Sequence, residues 1–133
     1  MGWIAVDLDG TLAYYSGWRS ADHIGDPIHD MLYRVKQWVV EGKEVRIFTA
    51  RCWPITIVQP VDTDEVWLPP GMDAKDTRVQ QAITSIKAIR PWCLQHVGTI
   101  LPITCVKDFQ MLSLWDDRAI QVEENTGRQI GKS

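Results

Sequence analysis

Asp7 and Asp9 stand two positions apart in WIAVDLDGTL, straight after the apolar run 3–6, and Gly10 and Thr11 follow them. Like charges at the end of a buried strand raise each other's pKa unless an opposite charge sits between them. Other polar residues close the later apolar segments: Thr49 and Arg51 after EVRIF, Lys107 after PITCV, Asp116 and Asp117 after LSLW. If these segments are parallel strands of one open sheet, the groups meet at its carboxyl edge, where such sheets bind ligands. Four carboxylates, a hydroxyl and a lysine suit a hard divalent cation and a phosphoryl group. Magnesium takes oxygen ligands, keeps several waters and is commonly held by one or two carboxylates plus a phosphate. Lys107 offers phosphate a point charge and Thr49 a hydrogen-bond donor. Asp7 is then placed as a nucleophile toward phosphorus. Asp9, across a turn that Gly10 permits, is placed to give and take a proton.

Positioning these groups requires strands that alternate with helices. The pattern predicts a buried strand over 3–8 and a loop over 13–26. Asp26 and Pro27 then read as an N-cap and a first-turn proline. Ile28, Met31, Leu32, Val35, Trp38 and Val39 follow at amphipathic-helix spacing, with Gly42 as the stop. A second strand over 44–50 completes a βαβ unit, hence a parallel sheet with a right-handed crossover. Residues 52–74 form a proline-rich excursion. A helix from about Lys75 carries Val79, Ile83 and Ile86 on one face. Pro91 is expected to kink or restart it, and Gly98 to end it. Strands follow over 102–106 and 112–116, with AIQV over 119–122 as a short fifth and a polar tail over 123–133. The reading is one α/β domain over 1–133, a three-layer α/β/α sandwich around a mainly parallel, Rossmann-like sheet.

Each motif alone has a bland reading: DxDG as a solvated turn, TAR as a helix cap, a lysine after a strand as surface, DD as a cap. Their order at successive strand ends is what carries weight. DLDGTL, FTAR, VKD and WDDRAIQV together resemble the four ordered motifs of the haloacid dehalogenase (HAD) superfamily, most of whose members are magnesium-dependent phosphohydrolases. The run GWRSADHIGDPI, with the helix and FTAR after it, is also similar to small bacterial and phage-encoded members. The resemblance implies that Asp7 becomes an aspartyl phosphate and that Asp9 protonates the leaving oxygen, then activates water. It implies magnesium on Asp7, on the Asp9 backbone carbonyl and on Asp116, with Asp117 supporting that shell or orienting Lys107. Thr49 and Lys107 would hold the phosphoryl oxygens, joined by the backbone N–H groups of Leu8 and Asp9, while Thr11 steadies the turn. An aspartate at position 9 points to a phosphatase or phosphotransferase rather than a dehalogenase.

Members of this superfamily usually choose substrates with an inserted cap, for which this chain has little room. Residues 13–26 suffice for a flap, so the site is expected to be open. An open site suits a macromolecular phosphate, or an oligomer whose neighbour covers it. Tyr14, Tyr15, Trp18, Arg19 and His23 either contact substrate or pack the flap, and Arg51 either meets an anion or pairs locally. Aromatic rings beside Arg19 would fit a base of a nucleotide or a nucleic-acid end. The alternative reading keeps the site without hydrolysis: a phosphate-binding or regulatory module phosphorylated on Asp7.

Composition bounds the rest. The chain has 133 residues and a formal net charge of −3, so no global basic field draws it to nucleic acid or anionic lipid. Its three cysteines are too scattered for a disulfide framework or a zinc site. No leader segment and no membrane-length apolar run are apparent, so the expected location is the cytoplasm.

Overall fold

A computed structural model of the chain describes residues 2–131. The apolar run at the start becomes strand β1 (Trp3–Asp7), buried through Val6 on both faces, as a central parallel strand must be. It is followed by α1 (His29–Val40), β2 (Glu44–Phe48), a 3₁₀ turn (Ala50–Cys52), α2 (Thr77–His96), β3 (Ile103–Thr104) and β4 (Met111–Trp115). The four strands form one parallel sheet in the order β3-β2-β1-β4. The fold is therefore α/β, compatible with a Rossmann-like arrangement. All four strands point their carboxyl ends at one edge, with β1 in the interior.

Side-chain alternation assigns the two faces of the sheet. Ile4, Val6, Leu8, Val45 and Ile47 join one core cluster with Met31 and Val35 of α1 and with Ala82, Ile86, Ile89 and Cys93 of α2. Both helices thus cover the same face, as two right-handed crossovers running in one direction require. Trp3 and Ala5 are buried outside that cluster, on the opposite face. There the chain returns from β3 to β4 through residues 105–110, which are too few for a crossover helix. This strap is pinned where Trp3 Nε1 donates to Asp108 Oδ1 at 2.8 Å, and Arg46 lies over the Trp3 ring at 4.3 Å. Among the described residues no helix covers this face.

Several boundaries differ from the sequence reading for local reasons. Helix α1 starts at His29 with Ile28 as an N-cap that makes no side-chain bond, not at Asp26. Residues 26–28 are still committed to the base of the flap. Tyr14 N donates to Asp26 O, Ala13 bridges Pro27, and Ile28 N donates to Leu12 O. Gly25 packs so closely here that a Cβ would lie 2.0 Å from Tyr14 O. Pro91 neither ends nor restarts α2, which runs unbroken through it; Ile89, Trp92 and Cys93 are buried on either side and hold both turns to the core. The expected fifth strand is a single bridge between Val122 and Gln129. Of the polar tail, residues 132–133 lie outside the described residues. No helix among the described residues is long and apolar enough to cross a membrane. The three cysteines are free thiols.

The proline-rich excursion is tied down. Ile55 and Val58 are buried, Ile57 bridges Thr104, and Cys105 N donates to Thr56 O. Arg90, 4% exposed, donates from Nη1 to Thr63 O and Glu65 O and from Nη2 to Pro60 O, leaving only Nε without a partner. Arg90→Met keeps the stem but orphans three carbonyls. It is expected to lower stability by roughly 2–4 kcal/mol, from the charge-assisted hydrogen bonds lost. Urea unfolding measures this as a lower midpoint.

Candidate functional site

The carboxyl edge gathers three of the four aspartates by their carboxylates. Asp7 ends β1, and Asp116 and Asp117 follow β4, its hydrogen-bonded neighbour. One carboxylate oxygen from each lies within 4.8 Å of the other two. Thr11 links the two strand ends: its hydroxyl lies 3.2 Å from Asp117 Oδ1 and 3.5 Å from Asp7 Oδ2, and it accepts from Asp117 N at 3.0 Å. The turn between them admits only glycine at position 10. Gly10 has φ +88°, and a Cβ there would fall 2.6 Å from Asp117 Oδ2. Burial pushes the Asp7 carboxyl up to about 7, helped by the charge of Asp116, then by the hydrogen bond and charge of Asp117 and the charge of Asp9. Three hard oxygen donors this close together, with the charged form of Asp7 disfavoured by burial and by its neighbours, fit a divalent cation.

The carboxylate of Asp9 does not join this cluster. Arg51 holds it through a two-pronged pair, Nε to Oδ2 at 2.7 Å and Nη2 to Oδ1 at 3.0 Å. The same guanidinium donates to the flap carbonyls of Ala21 at 3.1 Å and His23 at 2.8 Å. Ser85 of α2 also donates to Ala21 O, at 2.7 Å, and Trp92 Nε1 to Gly25 O at 3.0 Å. The flap is therefore fastened to α2 and to Asp9 together. Arg51 is aimed by Thr49, whose hydroxyl caps the 3₁₀ turn by accepting from Arg51 N at 3.2 Å. That bond uses a lone pair of Thr49 and leaves its O–H free to donate.

These groups open into a cavity of about 370 Å³. Asp7, Asp9, Thr49, Arg51 and Asp117 line it, with Tyr15 and Trp18 from the flap. Arg19 does not; it lines a neighbouring cavity of about 240 Å³ with Tyr14, Tyr15, His23 and the other side of Asp9 and Arg51. Leu8 buries its side chain completely, so only its backbone is offered to the site. Lys107 is exposed and is not among the lining residues. It lies on the strap, which must leave the carboxyl edge to reach the start of β4. Besides Arg51, the cations that line the cavity are Arg78, on the first turn of α2, and Arg118, just after the aspartate pair. Gln81, Ala82 and Ser85 continue the α2 wall at helical spacing, and Trp53 completes the rim. The spacing 78, 81, 82, 85 was present in the sequence, but nothing local showed which face of α2 would border the site.

No family model, curated protein or solved structure matches this chain.

The raised pKa of Asp7 gives a stability test. Its unfolded value is near 3.8 and its folded value near 7, so the metal-free fold binds the extra proton between them. That contribution is complete below about pH 4 and is lost as pH rises to 7. With chelator present, the thermal midpoint of Asp7→Asn should therefore gain on that of wild type as pH rises through this window. Added divalent cation at pH 8 should raise wild type more than Asp7→Asn. Parallel pH curves for the two proteins would show that Asp7 ionises freely.

Proposed function

We propose that this protein is a magnesium-dependent phosphomonoesterase that works through an aspartyl phosphate on Asp7. The observation that carries the reading is the Asp7, Asp116 and Asp117 cluster at the end of a central strand, two members of which, Asp7 and Asp117, line a cavity together with Thr49 and Asp9. The fold is read as HAD-like, with strap 105–110 standing where a three-layer sandwich would have its second helical layer. Magnesium would be held by Asp7, Asp116 and Asp117, and would supply charge stabilisation for the phosphoryl group.

Asp7 forms a bond from a carboxylate oxygen to phosphorus as the ester P–O bond breaks. The leaving alkoxide takes a proton from Asp9. In the second step Asp9, now a carboxylate, takes a proton from water; the water oxygen bonds to phosphorus and Asp7 is released with inorganic phosphate. Both oxygens of Asp9 accept from Arg51, an arrangement that suits the second step. The first step needs a protonated Asp9 and hence a looser Arg51 pair. Thr49 donates its free O–H to a phosphoryl oxygen. Arg118 has no ion-pair partner among the described residues and is the cation placed to meet phosphate. Lys107, outside the cavity lining, is given no role.

The Arg51 clamp also favours a second reading, a module phosphorylated on Asp7 whose Asp9 is held away from the acid role, so that the phosphoenzyme persists. Acetyl phosphate separates the two by phosphoenzyme lifetime: brief for a hydrolase, long for a regulatory module.

Phosphate release from a broad ester panel tests the main reading. Release should need magnesium and stop with chelator. Asp7→Asn should lower it by ~10⁴-fold or more, and Asp9→Asn by roughly 10²–10⁴-fold. No release from any ester, with cation bound and the fold intact, would overturn the hydrolase.

A further inference from the structure

We infer that the cavity takes a nucleoside phosphate, with the base stacked at a rim built from Trp18 and Trp53. This rests on the phosphoryl site proposed above and adds what the rest of the substrate is. Three aromatic rings border the same cavity as the acidic cluster and remain about half exposed: Trp18 at 56%, Trp53 at 52% and Tyr15 at 45%. What sets them apart from a lone exposed indole such as Trp67, 59% exposed, is that all three gather at one cavity mouth.

The two indoles are also braced. The Arg51 guanidinium lies over Trp18 at 5.0 Å, and Arg51 is itself fixed by Asp9 and two flap carbonyls. The Arg78 guanidinium lies over Trp53 at 5.5 Å, and Arg78 is fixed by both carboxylate oxygens of Asp76, the N-cap of α2. Each ring therefore has a cation on it and an exposed remainder. A ring held by a fixed cation loses little further freedom when a ligand stacks on it, which is what makes a platform efficient. Flat heteroaromatic bases stack on such platforms whatever their hydrogen-bonding edges.

The polar fittings agree. Gln81 is exposed on the α2 wall, and its side chain makes no hydrogen bond within the described residues, so it offers an amide donor and acceptor to a base edge. The cavity volume of about 370 Å³ lies within the ~300–1,000 Å³ of small-molecule sites. The site differs from the sequence expectation in its members. Arg19 is turned to the neighbouring cavity, while Trp53, Arg78 and Gln81 come from segments distant in sequence.

Equilibrium binding by calorimetry tests this, with magnesium and on the Asp7→Asn background so that turnover does not interfere. The probes are adenosine 5′-phosphate, ribose 5-phosphate, which lacks only the base, and phosphotyrosine. Adenosine 5′-phosphate should bind at least about tenfold tighter than ribose 5-phosphate. Trp18→Ala and Trp53→Ala should each weaken it by about 5- to 100-fold, the range for loss of a base stack. Phenylalanine at either position should restore most of the affinity, and Trp67→Ala, outside the cavity, should change nothing. If the alanine variants fail to fold, quenching of wild-type tryptophan fluorescence by adenosine 5′-phosphate but not by ribose 5-phosphate gives the same answer. Equal binding of those two, or tighter binding of phosphotyrosine, would overturn the proposal. A 5′-phosphorylated tetranucleotide locates the source within the class: tighter binding indicates a strand end, equal or weaker binding a free nucleotide. Base-dependent binding by a wild-type protein that releases no phosphate would retain this site and remove the phosphatase. Turnover of all esters without base preference would do the reverse.

Discussion

The arrangement of the site depends on one guanidinium. Arg51, whose side chain is 6% exposed, spends its donors on both oxygens of Asp9 and on two flap carbonyls, and stacks on Trp18 with its face. A buried fork of this kind is stable only when every charge and donor is met; removing one partner of such a pair costs about 3–5 kcal/mol. Among the described residues Asp9 is the only carboxylate that Arg51 meets, so the ion pair is what allows the cation to be buried. The flap, the aim of Asp9 and the Trp18 platform all follow from that single neutralisation. A lysine could not substitute, because one ammonium cannot serve two carboxylate oxygens and two carbonyls in a plane.

The acidic trio obeys a different constraint, set by strand order. From β1 the chain moves outward through β2 to β3, then returns to place β4 on the other side of β1. The crevice at such a reversal is where an open α/β sheet can hold a ligand. Asp7 and the Asp116–Asp117 pair flank it from neighbouring strands. Thr11 and Gly10 make the approach close enough to matter: one bonds to the far strand end, and the other leaves out the Cβ that would block it. Burial then raises the pKa of Asp7, so the cluster is costly without a cation and suited to one.

Much of the fold was legible because period and punctuation agreed. The stripe from Ile28 to Val39 does face the core, and the β1, β2 and β4 runs do pair as parallel strands. The carboxylates at strand ends were legible for the same reason: a strand end locates its side chains without tertiary knowledge. What escaped was set by distant contacts. Asp26 looked like a cap, yet the flap ladder claimed it first. Pro91 looked like a kink or a restart, yet α2 continues through it without restarting, with burial on both sides outweighing one missing hydrogen bond. A second helical layer was expected from alternation alone, and the six-residue span 105–110 joins β3 to β4 without a helix. Arg51 could be read as a local pair or an anion contact; its partner is 42 positions away and only the folded chain selects it.

With no inserted cap, the walls of the cavity have to come from elements that also build the core. One wall is α2, whose buried face carries Val79, Ala82, Ser85 and Ile86 and whose bordering residues Arg78 and Gln81 reach the cavity. The other is a flap held to α2 and to Asp9 by the same bonds. In such an arrangement the proposed stacking platform and the proposed proton-transfer group share one contact, Arg51. A group that stacks on Trp18 presses on the Arg51 guanidinium behind it, and any shift of Arg51 loosens its hold on Asp9. On the phosphatase reading proposed above, a base stacked on Trp18 would reach Asp9 through the same arginine. Selectivity in an open site can then arise from the coupling of one arginine to both tasks, without a domain that closes over the substrate.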